Sequence, residues 1–198
     1  QPERGITLQI GDGQSISNLT KINVINNFRA VDVSLGGQGA PLVPIGDQLL
    51  FSEYTYCLNL GGIANISINE KNEIKAGDIA FANMVSNDLA KKKNLMYDID
   101  GHLAESGRVS VPLLNELNKL PYFDKPFPKS LATEGYVNWF KPILEKYDVP
   151  VEDKLHTVGN HLCIQIKKAI KEIESPILIT GGGALNSFWI KNLANLGL

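Results

Sequence analysis

The chain has 198 residues, 43% hydrophobic and 20% charged, with a formal net charge of -2 at pH 7. That composition is ordinary for a globular chain and does not suggest disorder, and a near-neutral chain whose only basic run is Lys91-Lys92-Lys93 argues against nucleic acid as a partner. Two cysteines, Cys57 and Cys163, make no disulfide framework, and no apolar run is long enough to cross a bilayer, so a cytoplasmic setting is expected.

Taken in order, Ile6 to Ile10 reads as a first strand, Gly11-Asp12-Gly13 as a turn, Ser15 to Thr20 as a short helix and Ile22 to Ile25 as a second strand. A strand so near the first residue, and a helix ending near Leu198, are expected of a piece of a longer protein. Asn27 to Pro44 is too rich in glycine and proline for a regular element before Ile45. Its glycines let a ligand approach the backbone, and Arg29, Asp32 and Gln38 offer a cation, an anion and an amide; a structural turn closed by an Arg29–Asp32 ion pair is the alternative. Ile45 to Tyr54 follows as a connecting helix.

Leu58 and Leu60, then Ile66 and Ile68, alternate on either side of Gly61-Gly62, which predicts two half-buried strands joined in a hairpin. Bare glycine amides in such a turn can hold phosphate oxygens, although plain hairpins use the same pair. Asp78 is placed at the end of a third strand before a helix over Asn83 to Leu95, where a carboxylate serves either as a general base or as a helix cap. Tyr97 to Gly101 has the opening of a calcium loop without its closing glutamate, so that reading is rejected. Ser110 is expected to cap a helix that carries Pro112 in its first turn.

Pro121 to Tyr147 is expected to be an irregular insertion that packs its aromatics on the core, with Lys129-Ser130 as a phosphate-facing alternative. Leu155, Val158, Leu162, Ile166, Ala169, Ile170 and Ile173 recur at helical spacing. His156 and His161 do not share a face as a metal pair would, and both are read as solvated or capping. Pro176 to Asn186 is a strand running into Gly181-Gly182-Gly183 and a helix, an arrangement that presents backbone donors to an anion or nucleotide. A dinucleotide fingerprint would need glycine where Asn186 stands, which leaves an oxidoreductase as a weak alternative.

The strings Val33 to Pro44, Leu58 to Asn65 and Ile179 to Ala184, in this order and spacing, resemble the anhydro-N-acetylmuramic acid kinases of bacterial cell-wall (peptidoglycan) recycling. The resemblance covers essentially the whole chain and implies an α/β, actin-like ATPase (ribonuclease H-like) fold, in which two lobes close over ATP and Mg²⁺. Residues 1-44 would be a remnant of the first lobe, and 45-198 the second. It implies Asp78 as the base that activates water at the anomeric carbon while the released sugar oxygen attacks the γ-phosphate. Gly61, Gly62 and Asn65 would form a phosphate hairpin, and Gly181, Gly182 and Gly183 the turn beneath adenosine. Arg29, Asp32, Gly36, Gly37 and Gln38 would lie near the amino sugar, and no resident metal ligand is implied.

The chain departs from the family pattern in three places. Ile79 to Ala82 replaces a glycine- and proline-containing turn, Asn27 stands where an acid is usual, and a Gly-Thr-Ser-Leu-Asp-Gly type phosphate loop is not in the sequence. The 198 residues alone are therefore expected to be inactive and to self-associate, as a homodimer or larger. A sugar- or nucleotide-binding module without catalysis is the remaining alternative.

Overall fold

The computed structural model describes residues 8, 10–37, 39, 42–70, 73–171 and 175–198, and the chain divides into one unit ending at Gly46 and another from Asp47 to Leu198. In the first unit, α1 (Gly13–Thr20) starts where the Asp12 carboxylate accepts from the Ser15 N–H at 2.7 Å, and it stops at Lys21 in the left-handed region. The strand expected over Ile22 to Ile25 does not form: this stretch has no ladder partner among the described residues, and Ile22 and Ile25 are exposed. The strand expected at Ile6 to Ile10 falls largely outside the described residues.

Phe28–Ser34 is a helix, α2, where no regular element was expected. Its seven residues contain neither glycine nor proline, so the chain breakers act only from Gly36 onward. The connecting helix, α3 (Val43–Leu50), begins earlier than expected, with Pro44 tolerated in its first turn, and ends earlier than Tyr54.

The second unit is built on a four-stranded sheet of order β3-β2-β1-β4. The hairpin is β1 (Tyr56–Leu60) against β2 (Ile63–Glu70), with Leu58 opposite Ile66 and Asn59 opposite Asn65. β3 (Glu73–Phe81) extends it antiparallel, and β4 (Ile177–Thr180) pairs with β1 in parallel. The alternation predicted half-buried strands, yet in β1 only Asn59 escapes full burial. As a central strand, β1 has β2 on one side and β4 on the other, and it is covered on both faces.

Seven helices follow β3 in the described chain: α4 (Asn83–Lys91), α5 (His102–Ser106), α6 (Val111–Asn118), α7 (Thr133–Gly135), α8 (Lys141–Lys146), α9 (Val151–Ala169) and α10 (Ser187–Asn195). Leu155, Val158, Leu162 and Ile166 of α9 are buried on the stripe their spacing predicts, each contributing about 1.5–3 kcal/mol by leaving water. Gly159 lets α10 approach, since a Cβ there would lie 2.6 Å from the Phe188 ring. Ser110 makes no side-chain cap; its N–H instead donates to Thr157 Oγ1 at 2.9 Å. Asp98, in the rejected calcium loop, caps α5 by accepting from the N–H groups of Leu103 and Ala104 at 2.8 and 3.0 Å.

The Pro121–Tyr147 segment is more regular than expected, with a 3₁₀ turn at Pro121–Asp124 and a π-helical turn at Tyr136–Phe140 between α7 and α8. Its aromatics do pack on the core: Phe81 meets Phe140, Trp139 and Tyr136 at centroid distances of 5.2, 5.3 and 5.7 Å. His161 corrects the expectation of a solvated side chain. It is fully buried between Phe123 and Phe140, with Nδ1 2.7 Å from Asn118 Oδ1. Cys57 and Cys163 are both buried, as core residues should be. Among the described residues, no helix is long and apolar enough to cross a membrane.

Candidate active site

The hairpin turn is fastened to the start of α4. The Gly62 carbonyl accepts from the N–H groups of Ala82 and Met84 at 2.9 and 3.0 Å, and the Gly61 carbonyl from that of Asn83 at 3.1 Å. These bonds satisfy donors that a helix N-terminus otherwise leaves free, so α4 itself does not present them to an anion. Asn83 adds a side-chain bond from Nδ2 to the Leu60 carbonyl at 2.9 Å. The sequence reading passed over Asn83; an amide side chain at the first position of a helix behind a glycine turn was the available signal.

The second glycine turn packs against the same strand end. Gly181 has φ +82°, and a Cβ there would lie 2.5 Å from Asn59 Oδ1 and 2.8 Å from the Leu60 carbonyl oxygen. Gly183 is equally tight, 2.7 Å from Leu60 Cβ and from the Trp189 ring. By contrast, nothing but Asn83 Nδ2 comes within 4 Å of a Cβ at Gly182, and Gly62 meets only Met84 Cβ at 4.0 Å. Parallel pairing of β4 with β1 thus brings Gly181 to Gly183 beside Leu60 and the Gly61-Gly62 turn, and Gly62, Gly181 and Gly182 present bare, exposed backbone. Asn186 caps α10, its Oδ1 accepting from Trp189 N–H at 3.1 Å, so the residue that breaks the dinucleotide pattern has a structural task.

Asp78 lies within β3, opposite Asn65, rather than at the strand's end, and it caps no helix. A bulge there leaves Ile79 without a partner on β2, since Asn65 pairs with Asp78 and Ala64 with Ala80. The outer edge of β3 is covered by the 129–131 segment: Asp78 N–H donates to the Lys129 carbonyl at 2.8 Å, and Asp78 Oδ2 accepts from Leu131 N–H at 2.7 Å. Tyr122 donates its hydroxyl to the Asp78 carbonyl at 2.7 Å. Gly77 permits this approach, because a Cβ would sit 2.6 Å from the Lys129 carbonyl oxygen. Burial pushes the Asp78 carboxyl above its ordinary value of 3.8, and the Leu131 N–H opposes that rise.

In the first unit, Arg29 and Asp32 both bind Gly39. The Arg29 guanidinium donates to the Gly39 carbonyl, and Gly39 N–H donates to Asp32 Oδ2 at 2.6 Å. Gly37 N–H donates to the Asp32 carbonyl at 2.8 Å, while Gly36 and Gly39 take φ of +87° and +66°. These two side chains therefore shape the glycine loop. Gln38 lies outside the described residues.

The model of the family described as anhydro-N-acetylmuramic acid kinase matches residues 1–197. Curated relatives of that description from Shewanella sp. (strain ANA-3) and Francisella tularensis subsp. novicida (strain U112) are each 37% identical, over 204 and 213 residues. Those alignments cover 98% of this chain but 55% and 56% of the relatives, so the chain spans about half their length. Solved structures match as well. The activator of the 2-hydroxyisocaproyl-CoA dehydratase from Clostridium difficile with bound ADPNP has 14% identity and a TM-score of 0.45 over 77% of this chain and 55% of its own. The (R)-2-hydroxyglutaryl-CoA dehydratase component A of Acidaminococcus fermentans has 16% identity and a TM-score of 0.36 over 78% and 57%. Because the family model matches residues 1–197, the chain belongs to the anhydro-N-acetylmuramic acid kinase family, of α/β, actin-like ATPase fold.

Proposed function

We propose that the intact protein is an ATP-dependent sugar kinase that opens the ring of anhydro-N-acetylmuramic acid with water and phosphorylates the sugar, in peptidoglycan recycling. The observation that carries this reading is the meeting of two glycine turns at Leu60, with a half-buried carboxylate on the strand that leads into α4. ATP, when bound with Mg²⁺, supplies the phosphoryl group and the metal shares its charge. The open backbone at Gly62 and Gly182 suits a ligand that presses against the main chain, with Asn65 in the phosphate hairpin and Gly181 to Gly183 beneath the adenosine. Arg29 and Asp32, with Gly36, Gly37 and Gln38, are assigned to the sugar side.

Asp78 is assigned the proton. A carboxylate raised by burial is a stronger base than an exposed one, and the Leu131 N–H keeps one oxygen oriented while the other is left to accept from water. The intact protein given ATP, Mg²⁺ and the anhydro sugar should yield a phosphorylated product, and no product at saturation would overturn the assignment. Asp78→Asn should lower turnover by about 10²–10⁴-fold with the fold retained, because an amide does not accept the proton. Activity within tenfold of the parent would remove Asp78 from the chemistry.

One observation favours a second reading, a binding module without catalysis. Ile79 to Ala82, which stands in place of the family's glycine- and proline-containing turn, is buried throughout and forms the end of β3 and its link to α4. Calorimetry separates the two, since a module would bind sugar and ATP without product forming.

A further inference from the structure

At the end of the sheet away from the Gly61-Gly62 turn is a cavity of about 680 Å³, bounded by the start of β1, the end of β2, the start of β3 and the last turn of α9. Its volume falls in the range of small-molecule sites. The length of β1, about 13 Å at ~3.3 Å per residue, separates it from the glycine turns.

Among the described residues, five lysines line this cavity, Lys75, Lys125, Lys129, Lys168 and Lys171, with one carboxylate, Glu70. Glu70 is held by Lys75 at 2.7 Å. Lys125, Lys168 and Lys171 have no carboxylate within ion-pair distance among the described residues. Lys129 sits with Nζ 4.9 Å from the Tyr122 ring centroid and 5.4 Å from that of Phe127. Burial lowers its pKa, Asp124 opposes that, and Lys168, a smaller influence than Asp124, lowers it further.

A helix C-terminus attracts cations, which accounts for Lys168 without any ligand. It does not account for Lys75, Lys125 and Lys129, which reach the same space from β3 and from the segment before α7. Tyr56, Ile68, Phe123 and Phe127 give the cavity an apolar wall facing those ammonium groups.

We propose that this cavity is a binding site for a small phosphorylated molecule, with its phosphate on the lysines and an apolar or ring-bearing remainder against Tyr56, Phe123 and Phe127. The proposal does not depend on the kinase reading, since none of the residues assigned to that chemistry line the cavity.

Calorimetric titration of the full chain with inorganic phosphate and with phenyl phosphate tests it. Phenyl phosphate should bind at least about threefold more tightly, because the ring adds apolar burial. The double variant Lys125→Glu/Lys168→Glu should weaken phenyl phosphate by about tenfold or more, whereas Lys91→Glu/Lys92→Glu, an equal charge change on α4 and its end, should change it by less than about twofold. Lys125→Gln/Lys168→Gln, a milder pair at exposed positions, should give a smaller loss with an unchanged melting temperature. No binding of either probe, equal affinity for the two, equal loss in both glutamate variants, or no loss in the cavity variant would each overturn the proposal.

Discussion

A carboxylate inside a sheet costs stability when it ionises, and Asp78 places that cost where the proposed chemistry needs a base. Its folded pKa is raised above 3.8 by burial, so between 3.8 and the raised value the native state holds more protons than the unfolded state. Stability therefore falls as pH rises through that window. Asn at this position has no proton to lose and keeps an acceptor for Leu131 N–H. Thermal melts should show Asp78→Asn matching the parent near pH 4 and exceeding it at pH 7.5, and a lower melting temperature at pH 7.5 would contradict the burial argument. With Asp78 as the base of the proposed kinase, the same shift would place the acid limb of its pH–rate profile above the ordinary carboxylate value of 3.8. Gly181 carries the converse demand: Gly181→Ala combines φ +82° with a Cβ 2.8 Å from the Leu60 carbonyl oxygen. It should lower the melting temperature and weaken ATP together, as isothermal titration would register, whereas Gly182→Ala, in open space and at negative φ, should spare the fold.

Among the elements, α9 holds a second titratable group that burial sets, this time with the opposite sign. His161 has its pKa pushed down to about 3 by burial and, secondarily, by Lys168. It stays neutral in the fold while the unfolded chain protonates below about 6.5, so stability is lost as pH falls below that value. Urea unfolding should show a slope in pH approaching about 1.4 kcal/mol per unit below pH 6 that His161→Leu removes; an equal slope in parent and variant would refute it. The helical period of α9 was legible because its apolar stripe faces one core, but the burial of His161 was not, since it depends on Phe123 and Phe140 from a segment with no clear period. The hairpin was legible by alternation, and α2 was hidden only because a glycine-rich stretch follows it. The turns at Gly61-Gly62 and Gly181 to Gly183 could be read as turns. Their adjacency could not, because it is made by parallel pairing of β4 with β1, which no local pattern encodes. Leu131, which binds Asp78 through a backbone N–H, leaves no mark in the side-chain sequence at all.

At the scale of the whole chain, apolar surface is unevenly distributed. The second unit gathers most of its large hydrophobic side chains in one cluster around the sheet, α9 and the aromatic segment, although others, Leu49, Leu50, Met96 and Leu185 among them, are exposed. In the first unit only Val33 is buried among the hydrophobic core residues described, whereas Phe28, Val31 and Leu35 of α2 and its C-cap are 61, 67 and 83% exposed. These three, at i, i+3 and i+7, make a contiguous stripe on one helix face. A stripe of this kind in water favours burial against a second copy. Sedimentation of the purified 198-residue chain should show a mass that rises with concentration in the micromolar range, and Val31→Glu/Leu35→Glu should return it toward the monomer. The double variant leaves the sheet and α9 untouched, so its far-ultraviolet dichroism per residue should stay close to that of the parent. A parent chain that is monomeric up to about 100 μM would show that the exposed face of α2 does not drive association.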